Sequence, residues 1–380
     1  LPLSSPLKHQ IRLEKVPLGV DTSYYRPMDQ IKCRKEFGFD AEDIIILWFG
    51  RFSDLFKADL YPLLHVFRKL LMQNKDKRLR LVLSGSQEPG TDYAGKIYAE
   101  ARHMGIDDFV KIIFHHEIEN RAALYSACDI FTSPVDNVQE TFGLTPIEAM
   151  ACGVPQVVSD WNGYRDTVMD NETGFLVKTF WTECMNDIAH MDCLPSDVNR
   201  RSMLQRYLQV RSVAIDCTEY CDKLQMLIDN PLMRKKISEA SRKRAESCFS
   251  LQNTVKKTEE VWNELYEMAK GVESDFSNIN VPMIDYCSDF RDYPTRMFED
   301  TTVFMATEYG TAGSADDLPQ YRIFICNIEE AALPERILRY ILENRYVSMA
   351  DVVKRFSDFQ ESQVKRELMF LFKYDMIRPV

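Results

Sequence analysis

The chain has 380 residues, 45% of them apolar and 28% charged, with a formal net charge of −11. That length suits two or three domains with buried cores, and the acidic balance argues against a general nucleic-acid binder. No apolar run reaches the ~20 residues of a membrane-spanning helix, and no signal-peptide pattern opens the chain.

From residue 43 to 180 short apolar runs alternate with amphipathic stretches, as a parallel α/β sheet demands. The pattern predicts strands at 44–49, 79–84, 110–114, 130–133, 156–159 and 175–177, with helices at 58–74, 91–104, 119–127 and 143–152 between them. Right-handed crossovers would gather the loops that follow the strands at one sheet edge, where such folds bind ligands. Residues 181–213 read as an insertion, and 216–270 as helices broken at Asp229-Asn230-Pro231. The stretch 271–325 reads as a connecting segment with short β-like runs at 302–306 and 322–326, flanking a small-residue loop at 310–315. Residues 326–380 change character: helical patterns at 334–343, 349–356 and 360–376 precede a short strand, an order that resembles a winged-helix module. Its third helix carries Lys365, Arg366 and Lys373 against Glu361, Glu367 and Asp375. Such a balanced face makes nucleic acid an unlikely partner and a protein contact the better expectation.

The ten cysteines are scattered. Neither the Cys184…His190…Cys193 group nor the Cys217-x3-Cys221 pair has a standard zinc spacing. Reduced, structural thiols and a cytoplasmic protein are the expectation.

The run Q-E-T-F-G-L-T-P-I-E-A-M-A-C-G-V-P-Q-V-V-S-D at 139–160 holds the densest chemistry. Glu140 falls in a loop and Glu148 on a short helix that precedes a buried strand. Phe142-Gly143-Leu144 can turn the chain so that N–H groups converge, and Pro146 suits a first helical turn. Gly153 and Pro155 suit the exit. A helix N-terminus between two carboxylates offers donors to a phosphate and acceptors to sugar hydroxyls.

This run resembles the E-x7-E signature of retaining glycosyltransferases with the GT-B fold. Four further stretches agree with that family in order. Val16-Pro17-Leu18-Gly19-Val20-Asp21 with Tyr25 and Pro27 is similar to its interdomain hinge, and Gly50-Arg51 with Lys57 to its phosphate-binding loop. Residues 127–134 resemble the strand that leads into the signature, and Gly174-Phe175-Leu176-Val177 a later strand. The resemblance covers roughly residues 15 to 180, with a weaker helical match at 214–268. It implies a Rossmann-like parallel sheet, the C-terminal half of a GT-B fold, followed by helices and the small winged-helix-like α+β domain. Residues 1–28 would be the hinge and 29–270 the nucleotide-sugar domain. The family's acceptor-binding first domain, to which its last helix often returns, is expected to lie outside this chain.

The function so implied is retaining transfer of a sugar from a UDP- or GDP-sugar to an unknown acceptor, with poor activity from this chain alone. Glu140, Arg51 and Lys57 are the expected catalytic residues. Gly50, Gly85, His116, Thr141, Phe142, Gly143, Leu144 and Glu148 are expected to bind the donor. Glu148 would take the ribose hydroxyls and Glu140 the donor sugar. Arg51 and Lys57 can neutralise a diphosphate without a metal, so neither metal nor cofactor is expected. Lys57 stands one residue further from Arg51 than the family spacing. The alternative is a non-catalytic glycosyltransferase-like scaffold that acts through its C-terminal module.

Overall fold

A computed structural model describes residues 14–115, 119–185, 207–270, 286–314 and 332–380. Six strands form the main sheet: β1 (Ile44–Phe49), β2 (Leu79–Gly85), β3 (Val110–Phe114), β4 (Ile130–Ser133), β5 (Gln156–Ser159) and β6 (Phe175–Val177). All neighbours pair parallel in the order β3-β2-β1-β4-β5-β6. The six predicted strands are therefore the six observed ones. They were readable because strands covered on both faces carry nearly unbroken apolar runs.

Crossover helices cover the two faces. Side chains alternate along a strand, so Ile46 and Trp48 pack against α2 (Tyr61–Gln73) and α3 (Tyr93–His103), whereas Ile45, Leu47 and Phe49 face α4 (Arg121–Ala127) and α5 (Leu144–Ala151). A leading helix, α1 (Gln30–Glu36), precedes β1, and α6 (Tyr164–Thr167) lies between β5 and β6. Strand order reverses direction between β1 and β4. There the connections run to opposite sides and leave a crevice at the strands' carboxyl ends.

Beyond β6 the chain builds a second, three-stranded sheet in which β7 (Thr179–Thr182) lies between β8 (Ala214–Ile215) and β9 (Arg296–Phe298). The predicted insertion at 181–213 thus begins inside a strand, and its described end is buried: Tyr207, Val210 and Val213 all lie in the interior. The basic pair Arg200-Arg201 and the group His190 and Cys193 fall outside the described residues, as does the 322–326 run. Helices α7 (Cys217–Asp229), α8 (Pro231–Cys248) and α9 (Leu251–Ala269) follow, divided where Asn230 and Ser250 cap α8 and α9. Helix α9 buries no residue and exposes Val255, Trp262, Leu265 and Tyr266. A short turn of helix, α10 (Tyr286–Asp289), precedes β9.

The terminal unit has its own sheet, with β10 (Val303–Ala306) between β11 (Val347–Ser348) and β12 (Ile377–Pro379), both antiparallel to it. Its helices are α11 (Glu308–Ala312), α12 (Leu333–Asn344), α13 (Met349–Arg355) and α14 (Glu361–Lys373). Two sequence expectations change here. The middle strand comes from within 271–325, so the unit reaches further back than residue 326. The small-residue stretch at 310–315 opens as a helix, because the Thr307 hydroxyl accepts from the Gly310 N–H and caps it.

The unit is not a free appendage. Every residue of α14 from Val364 to Lys373 is buried, and Leu368, Phe372 and Phe298 share one apolar cluster with Ile46, Trp48 and Phe67 of the main domain. The basic residues that might have faced nucleic acid are engaged internally. Lys365 bonds Asp300 at 2.8 Å and Glu361 at 2.7 Å, and Arg366 donates to the Cys184 carbonyl at 2.6 Å. Arg211 meets Glu367 at 2.7 Å. Cys184, Cys217 and Cys221 are buried free thiols, and burial pushes each thiol up from its ordinary value.

Asp375 joins the unit to α2 by pairing with His65 at 3.1 Å and with Lys69. Burial alone would raise its carboxyl; bonds from His65 and charge from Lys69 outweigh that, and its pKa lies below the ordinary 3.8. A depressed carboxyl contributes stability that is present above pH 3.8 and lost as pH falls through its folded value. Asp375→Asn, which keeps a residue tolerant of the left-handed backbone found there (φ 58°), should melt lower than wild type at pH 6, by a margin that shrinks as pH falls below 3.8. Thermal melts across that range read this directly, and parallel curves would refute the contribution.

Candidate functional site

The crevice between β1 and β4 is framed by two loops. The first leaves β1 at Gly50, whose N–H donates to the Ser84 carbonyl at 2.9 Å, and Phe52 N–H continues the ladder to Ser86. Gly85 sits opposite with φ 154°, where an added Cβ would lie 1.5 Å from the Gly50 oxygen. Only glycine lets the two backbones pass this closely. Beyond Phe52 the chain makes a turn in which Lys57 and Ala58 N–H both donate to the Ser53 carbonyl. That turn absorbs the extra residue between Arg51 and Lys57 and returns the lysine to the crevice.

The second loop, from β4 to α5, brings Glu140 to Lys57. The two form an ion pair, with side chains 15% and 14% exposed. Asn137 braces the loop by donating to the Leu55 carbonyl at 2.6 Å, and the Trp161 indole donates to the Asn137 carbonyl at 3.1 Å. Asn162 donates to the Glu140 carbonyl at 3.4 Å. The loop then turns through Thr141 and Phe142 to Gly143, which precedes α5 with φ 84°. An added Cβ there would strike the Tyr164 ring at 2.2 Å, and one on Gly163 would strike the Thr141 carbonyl at 2.0 Å.

At the start of α5 Gly143 has no side chain with which to cap the helix, and Leu144 is exposed. The Thr145 hydroxyl is buried without a protein partner among the described residues. First-turn N–H groups and an unpaired hydroxyl therefore converge where the helix dipole favours an anion.

Glu148 lies one turn further and is 7% exposed. Its two oxygens accept hydroxyls from Tyr25 at 2.8 Å and Tyr125 at 2.7 Å. Burial pushes its carboxyl up, opposed by those two bonds and by the charges of Arg121 and Lys57. A carboxylate offers about four lone-pair positions, so acceptor capacity remains after both tyrosines. Neither tyrosine was assigned to Glu148 by the sequence. Tyr25 is 123 positions away and stood out only as part of the hinge motif.

Arg51 departs from the cluster. Its Nε approaches Glu88 at 3.2 Å while the side chain stays 48% exposed. His115 accepts from Arg121 Nε at 3.0 Å and lies edge-on to Phe49. A cleft of about 640 Å³ lined by Ser86, Gln87, Asp92, Phe114 and His115 opens beside Gly85. His116 lies outside the described residues. Asp166 pairs with Lys15 at 2.8 Å, both side chains exposed.

Residues 29–191 match the family model described as glycosyl transferases group 1. This stretch is therefore similar to the glycosyltransferase group 1 family. Among curated relatives, it is 32% identical over 173 residues to a D-inositol 3-phosphate glycosyltransferase of Rhodococcus erythropolis, covering 45% of this chain and 38% of that protein. It is 34% identical over 172 residues to the protein of the same name in Mycobacteroides abscessus, covering 45% and 37%. The matched region thus spans well under half the length of these relatives. The fold is similar to that of sucrose-phosphate synthase from Thermosynechococcus elongatus, with a TM-score of 0.50 and 20% identity over 67% of this chain and 53% of that one. The Rossmann-like parallel sheet expected of a GT-B half is the fold found.

The loop geometry at the crevice depends on the Gly50–Gly85 crossing. Gly85→Ala should destabilise the chain by about 1–3 kcal/mol or more, because the new methyl meets backbone that cannot step aside. Denaturant unfolding measures this, and an unchanged midpoint would mean that the crossing is looser than described.

Proposed function

We propose that this chain supplies the donor half of a retaining glycosyltransferase and binds a nucleotide-sugar, a UDP- or GDP-sugar, in the crevice between β1 and β4. The observation that carries the reading is the Lys57–Glu140 pair held beside the open start of α5. An ammonium has three donor positions and Glu140 uses one, so Lys57 can hold the carboxylate and a phosphate oxygen together. Arg51, exposed and able to leave Glu88, adds a second cation. The N–H groups around Gly143 and Leu144 and the Thr145 hydroxyl complete a cradle for the diphosphate. Glu148 takes the ribose hydroxyls on its remaining lone pairs, and Glu140 orients the sugar. The cleft beside Gly85 has room for the base.

In the reaction so proposed, the bond from the anomeric carbon to the phosphate oxygen breaks as a bond to the acceptor oxygen forms on the same face. The acceptor's proton passes to the departing phosphate. Charge accumulates on the diphosphate, and two cations with a helix terminus stabilise it as it forms. The protein need supply no nucleophile or metal. The acceptor would lie largely against a first domain outside this sequence, and the apolar side chains that α9 exposes suit cover by such a domain. Transfer by this chain alone is then expected to be poor.

A thermal-shift panel of UDP, GDP, ADP and their sugars tests the reading. A ligand at a hundred times its dissociation constant should stabilise the fold by about 2.7 kcal/mol; no shift with any of them would sink it. Charge-assisted hydrogen bonds contribute about 1.5–3 kcal/mol each, so Glu148→Ala should weaken nucleoside diphosphate binding roughly ten- to a hundredfold by calorimetry. Unchanged affinity would reject the ribose role. Binding should also survive EDTA, and a requirement for added magnesium would contradict the all-protein cradle.

A further inference from the structure

Lys373 is 1% exposed, and its ammonium is shared among three oxygens. It bonds Asp136 Oδ2 at 2.5 Å and the Val210 carbonyl at 2.7 Å, and lies 3.6 Å from Asp59 Oδ2. The next residue, Tyr374, donates its hydroxyl to the same Asp59 oxygen. Asp59 in turn accepts from Tyr61 N–H at 3.1 Å and the Tyr93 hydroxyl at 3.3 Å, while its own N–H donates to Asp136 Oδ1 at 3.3 Å. Burial pushes the Asp136 carboxyl up to about 6, with Lys373 opposing the rise.

The place of these two aspartates in the chain is what gives the knot a functional meaning. Asp59 lies two residues after Lys57, and Asp136 four before Glu140. The loops whose tips meet in the Lys57–Glu140 pair are therefore tied at their roots by one ammonium from the end of α14. We propose that Lys373 is a positioning residue for the donor site, holding the Lys57 and Glu140 loops in register from behind. This deepens the donor reading and rests on it. The terminal unit thereby becomes part of the machinery that grips the diphosphate, although none of its residues touches the ligand.

The phosphate end of the ligand is what the two loop tips would hold, so the effect must fall there. The test is calorimetric titration of the full chain with UDP and, separately, UMP; GDP with GMP and ADP with AMP run beside them. Lys373→Met alone strands a buried carboxylate and could unfold the chain, so Lys373→Met is combined with Asp136→Asn to keep the charge balanced. Arg211→Met with Glu367→Gln removes a different buried pair, of which Glu367 lies on the same helix, and serves as the control. The expected result is a loss of roughly tenfold or more in UDP affinity, with UMP affinity held within about twofold, in a folded double variant. The control should keep both affinities. Equal loss of UDP and UMP, or no loss of either, would overturn the positioning role. Failure of the wild-type chain to bind any of the nucleotides would overturn the donor reading itself, and is told apart because it appears before any substitution is made.

Discussion

An ammonium ion removed from water is tolerated only where fixed oxygens replace its hydration, and Lys373 finds three of them. Two belong to carboxylates that would themselves be costly without it. The arrangement is mutually obligatory: Asp59 and Asp136 can be buried at the roots of the crevice loops because α14 arrives, and α14 can be buried all round because they wait for it. The shared apolar cluster of Phe298, Leu368 and Phe372 with the main domain's α2 face then follows as packing around a charged pin. Lys365, Arg366 and Lys373 of α14 are buried with it.

The crevice has a different logic. Sheet reversal between β1 and β4 makes the opening, and glycine makes it narrow. Gly50 and Gly85 let two strand ends pass with backbone in contact, and Gly143 and Gly163 bring the signature loop against Tyr164. With side chains excluded from these walls, the few that remain define the chemistry. Lys57 and Glu140 face each other, and Glu148 stands behind two tyrosines. The site is preorganised by backbone geometry first and by charge second.

The main sheet was legible because each strand is short, apolar and bounded by turn residues, and because helical periodicity intervenes on every crossover. Glu140 and Gly143 were legible through the glycine and proline pattern around them, and Lys57 only through a resemblance of its loop to a known family. Their contacts were not. Strands β7, β8 and β9 stand outside the regular strand–helix alternation that marks the main sheet, so the second sheet was read as insertion and linker. Lys373 looked like one of several balanced charges on a surface helix, and its partner lies 237 positions away. Nothing local distinguishes a lysine that will be solvated from one that will be buried among carboxylates. Arg51 shows the converse, since its place beside glycine suggested a phosphate ligand while its described contact is Glu88.

The separation of Lys373 from Asp136 has a consequence for synthesis. At about 5–20 residues per second, a ribosome that has made Asp136 needs roughly ten to fifty seconds more to deliver the lysine. For most of that interval, once residue 177 has been made, the parallel sheet has all six strands available but carries two acidic groups without the lysine that must be buried with them. Maturation of the crevice should therefore be a late event that waits for α14, and a premature stop that spares the entire main sheet would still leave it open.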